Sequence, residues 1–329
     1  MKGVVAINQE YCLNFNYPQM SCSSCVKSCS QVCIDPCLTV NDMLCNECGL
    51  CLAVCPAEAV TGENFSRQSI EQILVADVSP LVLDCQHNNR HSAWPCLGFL
   101  NGRLLLSLVL SGKDGDRQVV VDNSKCASCR PLVADWLKKL AAEITQILVK
   151  IGKQPVISGD LATDIKQPEK IVSRRAFFAQ IMGAAVNAVR DGAGSSGGEL
   201  LPRRQWFTEY AASLSAVNDT VSRLFYNLRI SLACRTCGRC YRLCPNKAIV
   251  TADQGTALEF FHNPLLCSGC GVCARHCPNG AISLTEASKL SIYPVVLREF
   301  PRCDSCGQVY QPVSNQPVCL ECFLKCSDK

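Results

Sequence analysis

The chain has 329 residues, of which 27 are cysteine, and a formal net charge of +4 from 32 basic and 28 acidic side chains. A balance this mild, with no basic stripe and no polybasic run, argues against a nucleic-acid or membrane-surface binder, and the length allows about two to three domains. Aromatic residues make up 6 %, so no large aromatic core is expected and metal ligation should supply much of the folding free energy.

The opening residues MKGVVAINQEYC contain no apolar run followed by a small-residue cleavage site, and the longest apolar stretch, residues 176–189, carries Gln180 and Asn187. That stretch is too short to span a bilayer. A reducing cytoplasm is the expected location, and there dense cysteine is metal-binding rather than disulfide-bonded. The odd cysteine count agrees.

Residues 1–64 hold the first cysteine group. CNECGLCLAVCP (Cys45, Cys48, Cys51, Cys55) is a regular C-x2-C-x2-C-x3-C-P motif. Its upstream partner has two registers. One uses Cys22, Cys25, Cys29 and Cys33; the other uses Cys12, Cys22, Cys25 and Cys29, with nine residues between its first two cysteines. The second keeps the x2 and x3 gaps in CSSCVKSC. It also aligns CSQVCI with CPAEAV and CPNKAI, so that Cys33 stands where an alanine packs and Ile34 where an aliphatic follows. We take this second register, although Ser30 replaces the proline after the fourth cysteine. Cys33 and Cys37 are then buried or free thiols.

Residues 65–152 read as a small α/β domain. The patterning predicts a helix over 66–76, a buried strand over 80–85 ending on Cys85, and a helix over 101–112 closed by Gly112. A second strand over 117–122 follows, then a long amphipathic helix over 131–150 opened by Pro131. The alternation predicts parallel strands, whose crossovers carry their carboxyl ends to one edge of the sheet. Cys85, Cys96, Cys126 and Cys129 would then converge on a further centre bridging the cysteine groups at the two ends. His87 and His91 are candidate zinc ligands, weighed against ordinary surface histidines.

Residues 153–228 are expected to be a linker with helices: polar and proline-dotted over 153–172, helical over 173–189 with Ser173 as N-cap, loose through RDGAGSSGGEL, and helical again until Ser231. Gly192, Gly194 and Gly197 spell GxGxxG, but they follow a helix rather than a strand and read as linker. SRRAFF resembles an export motif too far into the chain to act as one; it reads as a basic helix start or a docking segment.

Residues 229–290 contain CRTCGRCYRLCP and CSGCGVCARHCP, the regular motif twice, at Cys234, Cys237, Cys240, Cys244 and at Cys267, Cys270, Cys273, Cys277. Thiolates are soft donors suited to iron–sulfur clusters, and three at i, i+3 and i+6 can wrap one side of a cubane. Residues 291–329 end the chain with Cys303, Cys306, Cys319 and Cys322, two knuckles twelve residues apart that suit tetrahedral four-sulfur zinc. Cys326 is left over.

The doubled motif over 230–285 resembles the bacterial two-cluster ferredoxins. That resemblance implies that the fourth cysteine of each run ligates the other cluster. Cys234, Cys237, Cys240 and Cys277 would hold one 4Fe–4S cluster, and Cys267, Cys270, Cys273 and Cys244 its neighbour. In the N-terminal unit the sets become Cys12, Cys22, Cys25 with Cys55, and Cys45, Cys48, Cys51 with Cys29. The middle cysteines resemble those of thioredoxin-like 2Fe–2S ferredoxins, whose last gap is normally three. The run from Pro95 to Cys129 is also similar to the small delta subunit that joins a methyl-viologen-reducing nickel–iron hydrogenase to heterodisulfide reductase. Either resemblance implies a 2Fe–2S or 4Fe–4S centre; from the residues alone, zinc and unmetallated thiols stay open. CDSCGQVY resembles rubredoxin, but the second knuckle lacks its proline and glycine.

The expected fold class is therefore α+β multidomain: two ferredoxin-like dicluster modules flanking a small α/β domain and a helical linker, with a C-terminal zinc-ribbon-like knuckle. No Ser/His/Asp set, P-loop, HExxH or dinucleotide fingerprint stands in a credible context. The expected function is that of a polyferredoxin: a non-catalytic electron-transfer subunit with four 4Fe–4S clusters, a middle centre and a tail zinc. Its expected partners are other subunits of a hydrogenase, formate dehydrogenase or heterodisulfide-reductase-like complex of an anaerobe, with no nucleic acid and no transmembrane segment. A metal-dependent scaffold or regulator, and an enzyme with a reactive middle cluster, are the competing readings.

Overall fold

A computed structural model describes residues 5–17, 19–65, 67–76, 78–90, 92–159, 202–211, 214, 218–312 and 317–327. The expected helix over 173–189 with its Ser173 cap, the SRRAFF segment, the glycine run at 192–197 and His91 lie outside the described residues. The chain divides into two compact units. One is built from residues 45–53 and 62–210, the other from 5–44, 54–61 and 211–329.

The first unit contains the α/β domain. Leu81–Leu83, Val119–Val121 and Ile157–Ser158 form a parallel three-stranded sheet in that order. Two helices supply the crossovers. Gly102–Leu110 is buried along nearly its whole length, and its first turn is capped by Asn101, whose side chain accepts from the Leu104 N–H at 2.9 Å. Pro131–Lys150 begins with proline at its first turn and buries Val133, Leu137, Leu140, Ile144 and Leu148, an apolar stripe at helical spacing. Arg117 is buried, and its guanidinium donates to the carbonyls of Ile73, Leu74 and Ala76 at the end of the helix Arg67–Val75. A cation there satisfies carbonyls that the helix leaves without partners.

Two expectations for residues 153–228 need correction. Ile157–Ser158 are not linker but the third strand of the sheet, with Val156 buried behind them. The segment before Ser231 is not helical: Asn218–Ile230 is a strand, antiparallel to Ile282–Lys289. Val221, Leu224, Phe225 and Leu228 fall at helical spacing, a pattern that short apolar runs share with strands. Pairing with a distant strand decides the outcome, setting Leu228 opposite Leu284. Ahead of that strand, Pro202–Tyr210 is a helix that packs on Gly102–Leu110 in the first unit.

In the second unit a further antiparallel sheet, Ile249–Asp253, Ala257–His262 and Tyr293–Glu299, covers a core of Ile249, Leu258, Phe260 and Phe300 that also takes in Cys240 and Cys273. A separate apolar cluster joins Leu13, Ala57 and Ala59 to Val272, with Tyr17, Met20 and Leu243 packed on it. The Tyr17 hydroxyl donates to the Leu243 carbonyl at 3.0 Å, and Arg275 Nε donates to the Gln19 carbonyl at 3.1 Å. The N-terminal cysteine segment thus meets the C-terminal module directly. Among the described residues no helix is long and apolar enough to cross a membrane.

Candidate metal centres

The regular motifs share one loop. The residue before the second cysteine has positive φ (Glu47 +56°, Thr236 +58°, Gly269 +68°), and so has the residue after it (Gly49 +80°, Gly238 +72°, Gly271 +77°). Left-handed residues on both sides of the second cysteine curl the chain so that three thiols face one space, and glycine takes the second position without a Cβ penalty. The third cysteine then enters a short helix: Leu50–Val54, Arg239–Arg242 or Val272–Arg275.

A second shared turn follows the fourth cysteine. Three residues on, φ is again positive: Val32 +52°, Glu58 +54°, Lys247 +52°, Gly280 +57°. One residue later, a main-chain N–H donates to the fourth thiol: Cys33 to Cys29 Sγ at 3.4 Å, Ala59 to Cys55 Sγ at 3.3 Å, Ala248 to Cys244 Sγ at 3.3 Å, and Ala281 to Cys277 Sγ at 3.2 Å. Such N–H···S bonds stabilise a thiolate and tune a cluster bound to it. Cys29 sits in the same nest as Cys55: N–H groups of Gln31, Cys33 and Ile34 surround the one, and those of Ala57, Ala59 and Val60 the other. Burial raises both thiol pKa values. At Cys55 it prevails, whereas at Cys29 the Cys33 thiol and the N–H groups outweigh it and the pKa falls.

The loop ahead of Cys29 is different, and the residue that closes it was missed in the sequence. Asn14 Nδ2 donates to the Cys22 carbonyl at 2.7 Å, and the Cys22 N–H donates to Asn14 Oδ1 at 2.8 Å. This two-bond clamp ties Cys22 back to the helix Leu13–Asn16, so that Cys22 and Cys12 pack on the same apolar cluster. An asparagine between two cysteines was the only available signal.

Three groups of four thiols result, each drawing its fourth member from a neighbouring motif. Burial pushes the Cys25 thiol up to about 11, together with the charges of Cys55, Cys22 and Cys12 around it. Cys240 is pushed up to about 12 by burial and by Cys234, Cys237 and Cys277. Cys273 is raised by burial and by Cys270, Cys267 and Cys244, with Cys240 beyond them. Packed thiols that resist ionisation fit a cationic metal centre, which compensates both the burial and the mutual repulsion. The first and third groups adjoin. Tyr17, from the first group's segment, feels Cys270 and Cys244, and a cleft of about 540 Å³ is lined by both Cys22 and Cys270.

In the first unit, Cys85 lies two residues past the strand Leu81–Leu83 and Cys126 five past Val119–Val121, at the carboxyl ends of neighbouring parallel strands. With Cys96 and Cys129 they line one cavity of about 340 Å³, together with His87, Lys125 and Arg130. Cys126 is pushed up to about 12 by burial and by Cys96, Cys85 and Cys129. The loop Cys45–Cys51 belongs to this unit too. A Cβ on Gly98 would collide with the Cys48 carbonyl, and one on Gly49 would reach 2.8 Å from the Phe99 nitrogen, so the two backbones touch.

Near the C-terminus the Sγ atoms of Cys303, Cys306, Cys319 and Cys322 all lie within 4.8 Å of one another, with Cys306 and Cys319 at 3.8 Å. For a metal–sulfur bond of about 2.3 Å the edge of a tetrahedron is about 3.8 Å, so the spacing suits one ion rather than a cluster. Gly307 (φ +72°) returns its N–H to the Cys303 carbonyl at 2.8 Å. The Cys319 N–H donates to Cys303 Sγ at 3.2 Å and is the main reason the Cys303 pKa falls to about 6.

The 4Fe-4S binding domain family matches residues 38–61 and 260–283, the spans that hold Cys45–Cys55 and Cys267–Cys277. The chain therefore carries two 4Fe–4S binding domains and is an iron–sulfur protein. No curated protein matches it.

Proposed function

We propose that this protein is a polyferredoxin, an electron-transfer subunit that relays electrons between redox partners. The observation that carries the reading is the exchange of fourth thiols between motifs, the arrangement expected of two-cluster ferredoxins. On this reading Cys12, Cys22, Cys25 and Cys55 hold one 4Fe–4S cluster, and Cys45, Cys48, Cys51 and Cys29 a second. Cys267, Cys270, Cys273 and Cys244 hold a third, and Cys234, Cys237, Cys240 and Cys277 a fourth. Cys85, Cys96, Cys126 and Cys129 hold a further centre, 2Fe–2S or 4Fe–4S, and Cys303, Cys306, Cys319 and Cys322 a zinc ion.

The clusters supply one-electron chemistry. The chain holds their thiolates, lends N–H groups to the fourth sulfur of each motif and keeps the third cysteines away from water. The partners would be other subunits of a cytoplasmic complex of hydrogenase, formate dehydrogenase or heterodisulfide-reductase type in an anaerobe. Anaerobic purification with iron, sulfide and zinc analysis and identification of co-purifying proteins tests the reading. Iron and sulfide sufficient for four cubanes and the middle centre, one zinc, and oxidoreductase subunits in the eluate are expected. Zinc in place of iron at the repeated motifs would overturn it.

A further inference from the structure

The middle cavity and the loop Cys45–Cys51 adjoin through Arg130. Its guanidinium donates to the carbonyls of Asn46 and Glu47, the two residues between Cys45 and Cys48. The same side chain lines the cavity of Cys85, Cys96, Cys126 and Cys129. Arg130 is firmly mounted: it is the N-cap of the helix Pro131–Lys150, and its own N–H donates to the Cys126 carbonyl at 2.8 Å. The backbone contacts of Gly98 with Cys48 and of Gly49 with Phe99 bring Cys96 and Cys48 to opposite sides of the same seam. A guanidinium is charged at any working pH, so Arg130 brings a fixed positive charge to the seam.

We propose that Arg130 is the shared cation of two neighbouring redox centres, the middle site and the centre of Cys45, Cys48 and Cys51, and that electrons pass between the two at this seam. The inference rests on the polyferredoxin reading. Each transfer moves one electron, oxidising one centre as the other is reduced, with no atom or proton exchanged. A fixed cation favours the more negative, reduced state of any centre beside it. One arginine touching both should therefore raise both potentials together and leave the difference between them, the driving force for exchange, unchanged.

The test is a spectroelectrochemical titration of the full-length, anaerobically prepared protein and its variants Arg130→Gln and Arg130→Lys. Arg130→Gln should lower the reduction equilibrium of both centres by about tenfold, a shift of about 59 mV for a one-electron couple, and leave the centre of Cys234, Cys237, Cys240 and Cys277 unmoved. Arg130→Lys keeps the charge without the fork and should shift both by less; should Arg130→Gln lose iron, this variant decides. Both centres present but unmoved, or only one moved, would overturn the junction while leaving the polyferredoxin reading intact. A wild-type protein with no iron–sulfur signal from the middle site would overturn that part of the reading, and the junction with it.

Discussion

The C-terminal motifs and the first N-terminal motif reach similar thiol groups by different routes. In Cys234–Cys244 and Cys267–Cys277, left-handed residues around the second cysteine do the folding. In Cys12–Cys29 the matching residue is Ser23, with φ −127°, and the Asn14 clamp closes the loop instead. The turn after the fourth cysteine is the same in both. The N–H nest around the fourth sulfur is thus the fixed part of the motif, while the approach to the first three thiols can be rebuilt from other contacts.

The largest expected effect tests the exchange of thiols itself. Cys244→Ala should empty the centre of Cys267, Cys270 and Cys273 and spare that of Cys234, Cys237 and Cys240, because Cys244 is a neighbour of Cys273 while Cys277 is the neighbour of Cys240. Iron per chain and cluster-resolved paramagnetic spectra read the outcome. Loss of the Cys234 centre instead would break the comparison at its root.

Acid should separate the two regions next. His262 is fully buried, neither ring nitrogen has a hydrogen-bond partner among the described residues, and its ring meets Tyr293 edge-on. Burial lowers its pKa from 6.5 to about 4. As pH falls below about 6.5 the unfolded chain takes up a proton that the folded one refuses, so stability is lost through that window and levels off below about 4. The full loss is on the order of 3 kcal/mol. Residues 1–64 contain no histidine, so this lability belongs to the C-terminal region. His262→Phe should flatten the difference in unfolding midpoint between pH 7 and pH 4.5; an unchanged pH slope would refute the assignment.

A smaller effect distinguishes the two loops directly. A Cβ on Gly271 would meet nothing within 4 Å, so Gly271→Ala isolates the cost of its φ of +77°, about 1–2 kcal/mol. Ser23→Ala, at the aligned position, removes a side chain that makes no cap hydrogen bond and should stay within about 0.5 kcal/mol. Equal losses in anaerobic thermal unfolding would mean that the loops are alike after all.

Much of this was legible in the sequence where the signal is local. The helix over 131–150 was bounded by Pro131 and an unbroken apolar stripe, and the parallel strands followed from the alternation around Cys85 and Cys126. What could not be read was non-local. The Asn14 clamp is a side-chain bond to a backbone eight residues away, with no periodicity to reveal it. The strand Asn218–Ile230 has an apolar spacing that suits a helix equally well until its partner, more than fifty residues on, is known. The Tyr17–Leu243 contact joins opposite ends of the chain. Arg130 reads as one more loop cation until the Asn46 and Glu47 carbonyls are seen around it.

The smallest expected effect is the sharpest probe of the shared turn. Cys33 occupies the place of Ala59, Ala248 and Ala281, buried like them, with its Sγ 3.1 Å from Cys29 Sγ. Its bond to the fourth thiol comes from the main chain, so Cys33→Ala keeps that bond and makes the turn match the other three. Only one sulfur leaves a small buried site, and the cost should be below about 1 kcal/mol, with iron per chain unchanged. The competing register, Cys22, Cys25, Cys29 and Cys33, predicts the opposite: Cys33 would be a ligand, its loss would empty a cluster, and the smallest effect in this series would become one of the largest. Iron analysis of this variant therefore decides whether the irregular motif differs from the regular ones in its loop alone or in its ligands as well.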